Sequence, residues 1–182
     1  MFRRSSVIRY AVATAAALTL STMVAARASA QGPAVSQPIQ ARADVAAALT
    51  VSGTDLSFGT VFQGINKTVA PSDLTAGRFA VTGAASSGVN VTWTSVPTVL
   101  TNSVSGTTMP IGSWTGCANG VSDGSAAGGC TTSINFAGTT AATLSASGEL
   151  YIFVGATVQP AATQAAGTYA APVTVQIAYN GL

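Results

Sequence analysis

Residues 167–182 read GTYAAPVTVQIAYNGL, and no other stretch limits so strongly what this chain can become. Tyr169, Ala171, Val173, Val175, Ile177 and Tyr179 fall on one parity, while Thr168, Thr174 and Gln176 take the other. Strand side chains alternate between two faces, so a strand here presents one continuous apolar face. That face needs a second layer to cover it, which rules out a single solvated sheet. The question for function is then whether the rest of the chain supplies the whole of that layer.

The amino terminus carries a different signal. Arg3, Arg4 and Arg9 precede an apolar run over residues 10–24, and Ala28, Ser29 and Ala30 are the small residues a signal peptidase reads. Residues 1–30 are therefore expected to be a signal peptide, cleaved between Ala30 and Gln31. The run is shorter than the roughly 20 residues of a spanning helix, so no permanent membrane anchor is expected. This places the mature chain in the periplasm, at the cell surface or outside the cell.

Cleavage changes the electrostatics. Seven Lys and Arg face five Asp and Glu in the whole sequence, but Arg3, Arg4, Arg9 and Arg27 leave with the signal. Arg42, Lys67 and Arg78 remain against the five acids, for a net charge of −2. Three scattered cations do not make the clustered basic surface that nucleic acid requires. The chain has no histidine, which removes the usual Ser and Cys triads, and Lys67 stands in no Ser-x-x-Lys motif. No catalytic residue, cofactor or metal site is expected. Cys117 and Cys130 are the only cysteines, and in an exported chain a disulfide between them is expected. They enclose the Gly- and Ser-rich sequence ANGVSDGSAAGG, and closing a loop of that size stabilises a fold by about 3 kcal/mol on the chain-entropy account.

Several short alternating stretches with turn residues between them predict an all-β antiparallel sandwich over residues 45–182. Val35, Ile39, Ala41, Ala43, Val45, Ala47, Leu49 and Val51 share a parity broken only by Gln37, so strand character extends back into residues 31–44. Leu56 and Phe58 point inward before the inward parity switches to Val61, and Gly59 at the switch suggests a bulge or a close backbone approach. Phe79 and Val81, then Val89, Val91 and Trp93, read as two strands of a hairpin joined by residues 83–88. Met109, Ile111 and Trp114 predict a strand leading into the disulfide loop, and Ile134 and Phe136 a short strand after it. Residues 149–158 are apolar on both parities, which predicts a central strand with both faces covered, paired in a final hairpin with residues 169–179.

Three of these pieces together resemble a known group: LSFGTV at residues 56–61, GELYIFVG at 148–155, and AGTY at 166–169 followed by VTVQIAY at 173–179. The chain resembles the DUF4402 group of exported bacterial proteins and, more distantly, spore coat protein U and chaperone–usher pilin subunits. The resemblance implies an immunoglobulin-like, pilin-like sandwich lacking one strand, which a periplasmic chaperone or the next subunit supplies. The likeness to pilins also implies that Gly167 and Tyr179 mark the last strand, since pilins set a Gly and a Tyr twelve residues apart there.

The expected function is that of a fimbrial- or coat-like subunit in a homo- or hetero-polymer, working with a chaperone and usher. Val35, Ile39, Ala41 and Ala43 either enter a neighbour's groove or extend the domain's own first strand. The alternative is a self-contained cell-surface module, an adhesin that binds glycans through Trp93, Trp114, Tyr151 or Tyr169. The parity of Trp93 matches Val89 and Val91, which favours core packing for that residue.

Overall fold

The structure, a computed structural model, describes residues 35–43, 45–120, 130 and 132–181. The signal peptide and its cleavage point at Ala30 and Gln31 lie outside the described residues. The chain divides into two units, Met1–Ala43 and Asp44–Leu182. In the first, residues 35–43 form no strand, and Val35 and Ile39 are 92% and 91% exposed.

The second unit is an all-β sandwich in which every pairing is antiparallel. Its strands are β1 (Thr50–Thr54), β2 (Lys67–Val69), β3 (Gly77–Thr82), β4 (Gly88–Ser95), β5 (Val99–Asn102) and β6 (Thr108–Asn119). They continue with β7 (Thr132–Ser133), β8 (Thr139–Thr143), β9 (Glu149–Val158), β10 (Tyr169–Ala170) and β11 (Thr174–Tyr179). A large sheet runs in the order β1-β3-β9-β6-β5-β10, with β2 also paired to β9 and β7 to β6. A small sheet is ordered β11-β4-β8. Among the described residues none is helical, and no helix there is long and apolar enough to cross a membrane.

The central strand is β9, as its sequence predicts. Leu150, Ile152, Val154, Ala156 and Val158 face the interior and are buried. Phe153 points to the other face yet is only 1% exposed, packed with Cys117 and Tyr151. A run apolar on both parities is thus covered on both sides.

The long strand β6 changes face part way along. Met109 and Ile111 are buried inward, the register against β9 shifts between Gly112 and Thr115, and Ser113 adopts the left-handed φ of 48°. One extra residue at this bulge moves the inward parity to Trp114 and Ala118 and turns Cys117 outward beside Phe153. The expected disulfide between Cys117 and Cys130 is present, with Cα atoms 5.5 Å apart.

Three expectations are corrected. The alternation over residues 35–51 becomes strand only from Thr50, so residues 35–43 do not extend the first strand. Strands β3 and β4 form no hairpin: β3 pairs with β1 and β9 in the large sheet, and β4 with β11 and β8 in the small one. Alternation states which face a residue takes, not which strand lies beside it. The stretch 169–179 is two strands, with β10 on β5 and β11 on β4, and neither pairs with β9. Between them Pro172 has no N–H to give a ladder, and the chain passes there from the large sheet to the small one.

Candidate functional site

The core falls into two parts with different covers. One cluster takes residues from both sheets: Val81, Ile152 and Val154 from the large, Val89, Val91 and Ala142 from the small. The other comprises Leu100, Met109, Ile111, Ala156 and Val158, all from the large sheet. Over it lie Leu56, Phe58 and Val61 from a stretch without strand structure, together with Tyr169 and Ala171. The small sheet contributes no residue to this second cluster.

A groove of about 1150 Å³ opens where that cover is incomplete. Its walls are residues 53–63 on one side and 164–173 on the other, and Phe79, Leu100, Met109, Ile111 and Trp114 line its floor. Its volume exceeds the roughly 300–1,000 Å³ of clefts that hold one small ligand. Phe62 lies on the lining and is 68% exposed. Gly59 has the left-handed φ of 58°, which lets Phe58 and Val61 both turn inward across the parity switch anticipated from the sequence.

A polar network fixes the second wall. The Tyr169 hydroxyl donates to Ala165 O at 2.8 Å, accepts from Gln164 Nε2 at 2.7 Å and lies 2.9 Å from Thr107 Oγ1. Hydrogen bonding from Thr107 holds this phenol below its ordinary pKa, burial opposes the shift, and Gln164 and Asn102 add to it. Gln164 also donates to Thr108 O, and Gln63 Nε2 donates to Gln164 O at 2.6 Å, which ties the two walls together. Buried Asn102 holds the turn that follows it by accepting from Val104 N and Ser105 N.

Beyond Val173, the wall continues into β11. Asn180 N donates to Gly88 O at 3.1 Å, and the register places those two residues opposite each other. Bonded pairs alternate along an antiparallel ladder, so the even-numbered residues of β11 serve β4. Val175, Ile177 and Tyr179 therefore turn their N–H and C=O groups to the open side, where no described strand pairs with them. Their side chains face inward and are half-buried.

The candidate residues are dispersed. Gly167 lines the groove at φ 146°, where a Cβ would strike the Asn102 side chain. Tyr179 is at the far end of β11, its hydroxyl accepting from Ala84 N and donating to Ala47 O, both at 2.7 Å. Val35, Ile39, Ala41 and Ala43 belong to the other unit. Of the four aromatics considered for stacking, Trp114 and Tyr169 line the groove. Trp93 packs on the main core and stacks on Phe136 at 4.7 Å, while Tyr151 lies outside with Cys117 and Phe153. Sequence reasoning missed Gln164 and Asn102. For Asn102 a cue was present, since Asn-Ser-Val-Ser-Gly has the composition of an Asx turn.

Among the described residues no group of three or more His, Cys, Asp or Glu is placed to hold a metal. What the geometry defines is an antiparallel β-sandwich with a groove over the smaller of its two main core clusters and an unpaired strand edge that begins where the groove's lining ends. No protein-family model and no curated protein matches the chain.

Proposed function

We propose that the protein is an exported assembly subunit whose groove receives an extended segment from another subunit, in the manner of a pilin-like sandwich short of one strand. The observation that carries this reading is continuity: the groove's lining ends at Val173, and the open bonding edge of β11 begins one residue further along the chain. An added strand that ran from the groove on along β11 would meet both deficits, giving side chains to the groove and backbone partners to Val175, Ile177 and Tyr179. Residues 35–43 of a second copy suit the role. They are exposed, form no strand and, fully extended, reach about 30 Å. Residues directly opposite in an antiparallel pair share a face, so the inward residues of β11 would bond to the inward residues Val35, Gln37, Ile39, Ala41 and Ala43. Pro38 then turns its missing N–H away from β11, so an antiparallel entry loses no bond to it. On this reading a periplasmic chaperone fills the groove until a subunit replaces it at an usher, and the polymer stands at the cell surface.

Sedimentation velocity on the exported chain, residues 31–182, tests the proposal. The chain is expected to form concentration-dependent multimers, and Ile39→Asp, which carries a charge into an apolar groove, to weaken association at least tenfold. A monomer at every concentration, or an Ile39→Asp chain that assembles equally well, would sink it. A second reading, a glycan-binding module, is favoured only by the presence of Trp114 and Tyr169 in the same groove. It requires Trp114→Ala to abolish binding to an immobilised glycan that the unmodified chain retains.

A further inference from the structure

The small sheet has a second border, β8, on the side away from β11. Leu144 N donates to Ser87 O at 3.0 Å, and the β4–β8 register continued by one residue places those two opposite each other. Thr140 and Ala142 accordingly bond to β4, while Thr139, Ala141 and Thr143 direct N–H and C=O away from it. The bond from Asn180 N to Gly88 O gives the same answer independently. It assigns the even-numbered residues of β4 to β11 and leaves the odd-numbered ones for β8. No described strand pairs with the outer side of β8. Edge strands are ordinarily guarded by a Lys, a Pro, a bulge or an overlying segment. The sequence TTAAT holds no Lys or Pro, its register with β4 is unbroken, and Thr139, Ala141 and Thr143 are exposed.

This edge is also complementary to itself. A two-fold axis perpendicular to the sheet and midway between Ala141 and its counterpart sets Thr139 opposite Thr143 of a second copy, Ala141 opposite Ala141, and Thr143 opposite Thr139. All three positions are residues with open bonds, so each donates once and accepts once across the axis. Thr–Thr pairs flank a small Ala at the centre, and no charge in β4, β8 or β11 opposes the approach. We propose that β8 is a docking edge for β8 of another copy, joining two small sheets into one continuous sheet. The contact is isologous and closes at two copies, whereas strand donation runs head to tail and propagates. It would therefore join chains side by side, and it does not depend on the donated strand.

Cysteine scanning of the exported chain, with Cys117 and Cys130 retained, tests both the contact and its register. Opposite residues in a bonded antiparallel pair have Cα atoms about 5.5 Å apart, within disulfide range. Under mild oxidation Ala141→Cys is expected to give a covalent dimer on a non-reducing gel. Thr139→Cys alone is expected to stay monomeric, and an equimolar mixture of Thr139→Cys and Thr143→Cys chains to crosslink. In the chain without added cysteines, Ala141→Lys is expected to raise the dimer dissociation constant at least tenfold. A folded Ala141→Cys chain that remains monomeric, or equal crosslinking at all three positions as random collision would give, overturns the proposal. Adding Ile39→Asp to Ala141→Cys is expected to leave the crosslink intact, so failure of strand donation and failure of this contact are read separately.

Discussion

Phe153→Ala is expected to cost about 3–5 kcal/mol, a large share of the roughly 5–15 kcal/mol that holds a domain folded. Phe153 lies on the face of β9 turned away from the interior of the sandwich, where an ordinary two-layer fold has solvent. Here the ring is packed with Cys117 and Tyr151 and almost wholly buried. Truncation removes the ring's contacts and leaves a cavity between the strand and its outer cover. Urea unfolding monitored by tryptophan fluorescence measures the loss. A cost below about 1 kcal/mol, the size expected of an exposed aromatic, would mean that the outer face of β9 is uncovered.

The second large effect comes from adding one carbon. A Cβ at Gly155 would run into the Val69 carbonyl oxygen and lie 2.9 Å from Pro71 Cδ and 3.0 Å from the Ala70 carbonyl carbon. These are mainly backbone obstacles, so no rotamer change relieves them, and β2 has to move off β9. Gly155→Ala is expected to fall at or beyond the top of the usual range for overpacking, about 3 kcal/mol. For a domain of this size that is a fall in Tm of about 10 °C by calorimetry. An unchanged Tm would show that residues 69–71 do not cross over Gly155.

Both effects concern a strand whose place was legible in the sequence. The run LYIFVGATV is apolar on successive residues, and only a strand covered on both faces sustains that pattern. The inward turns of Leu56, Phe58 and Val61 around Gly59 were legible too, although the stretch carries no strand. Gly announces a left-handed residue, whereas Ser113 does so for the bulge in β6 without any compositional mark. Strand partners were not legible. The alternation of β3 and β4 is equally satisfied whether the two share a sheet or face each other across the core. Residues 35–43 keep a strand's parity, but alternation does not say that a stretch forms a strand with its own domain, whereas Leu49 in the same run does pack on the main core. The groove's place could not be read from the pattern of residues, because it arises from what the small sheet leaves uncovered above Leu100, Met109 and Ile111.

Neither border of the small sheet carries an Asp, Glu, Lys or Arg, and β4 between them has none. Ions in solution weaken attractions between charges and have nothing to screen here. A contact between two β8 edges is therefore expected to hold alike in fresh water and in brine.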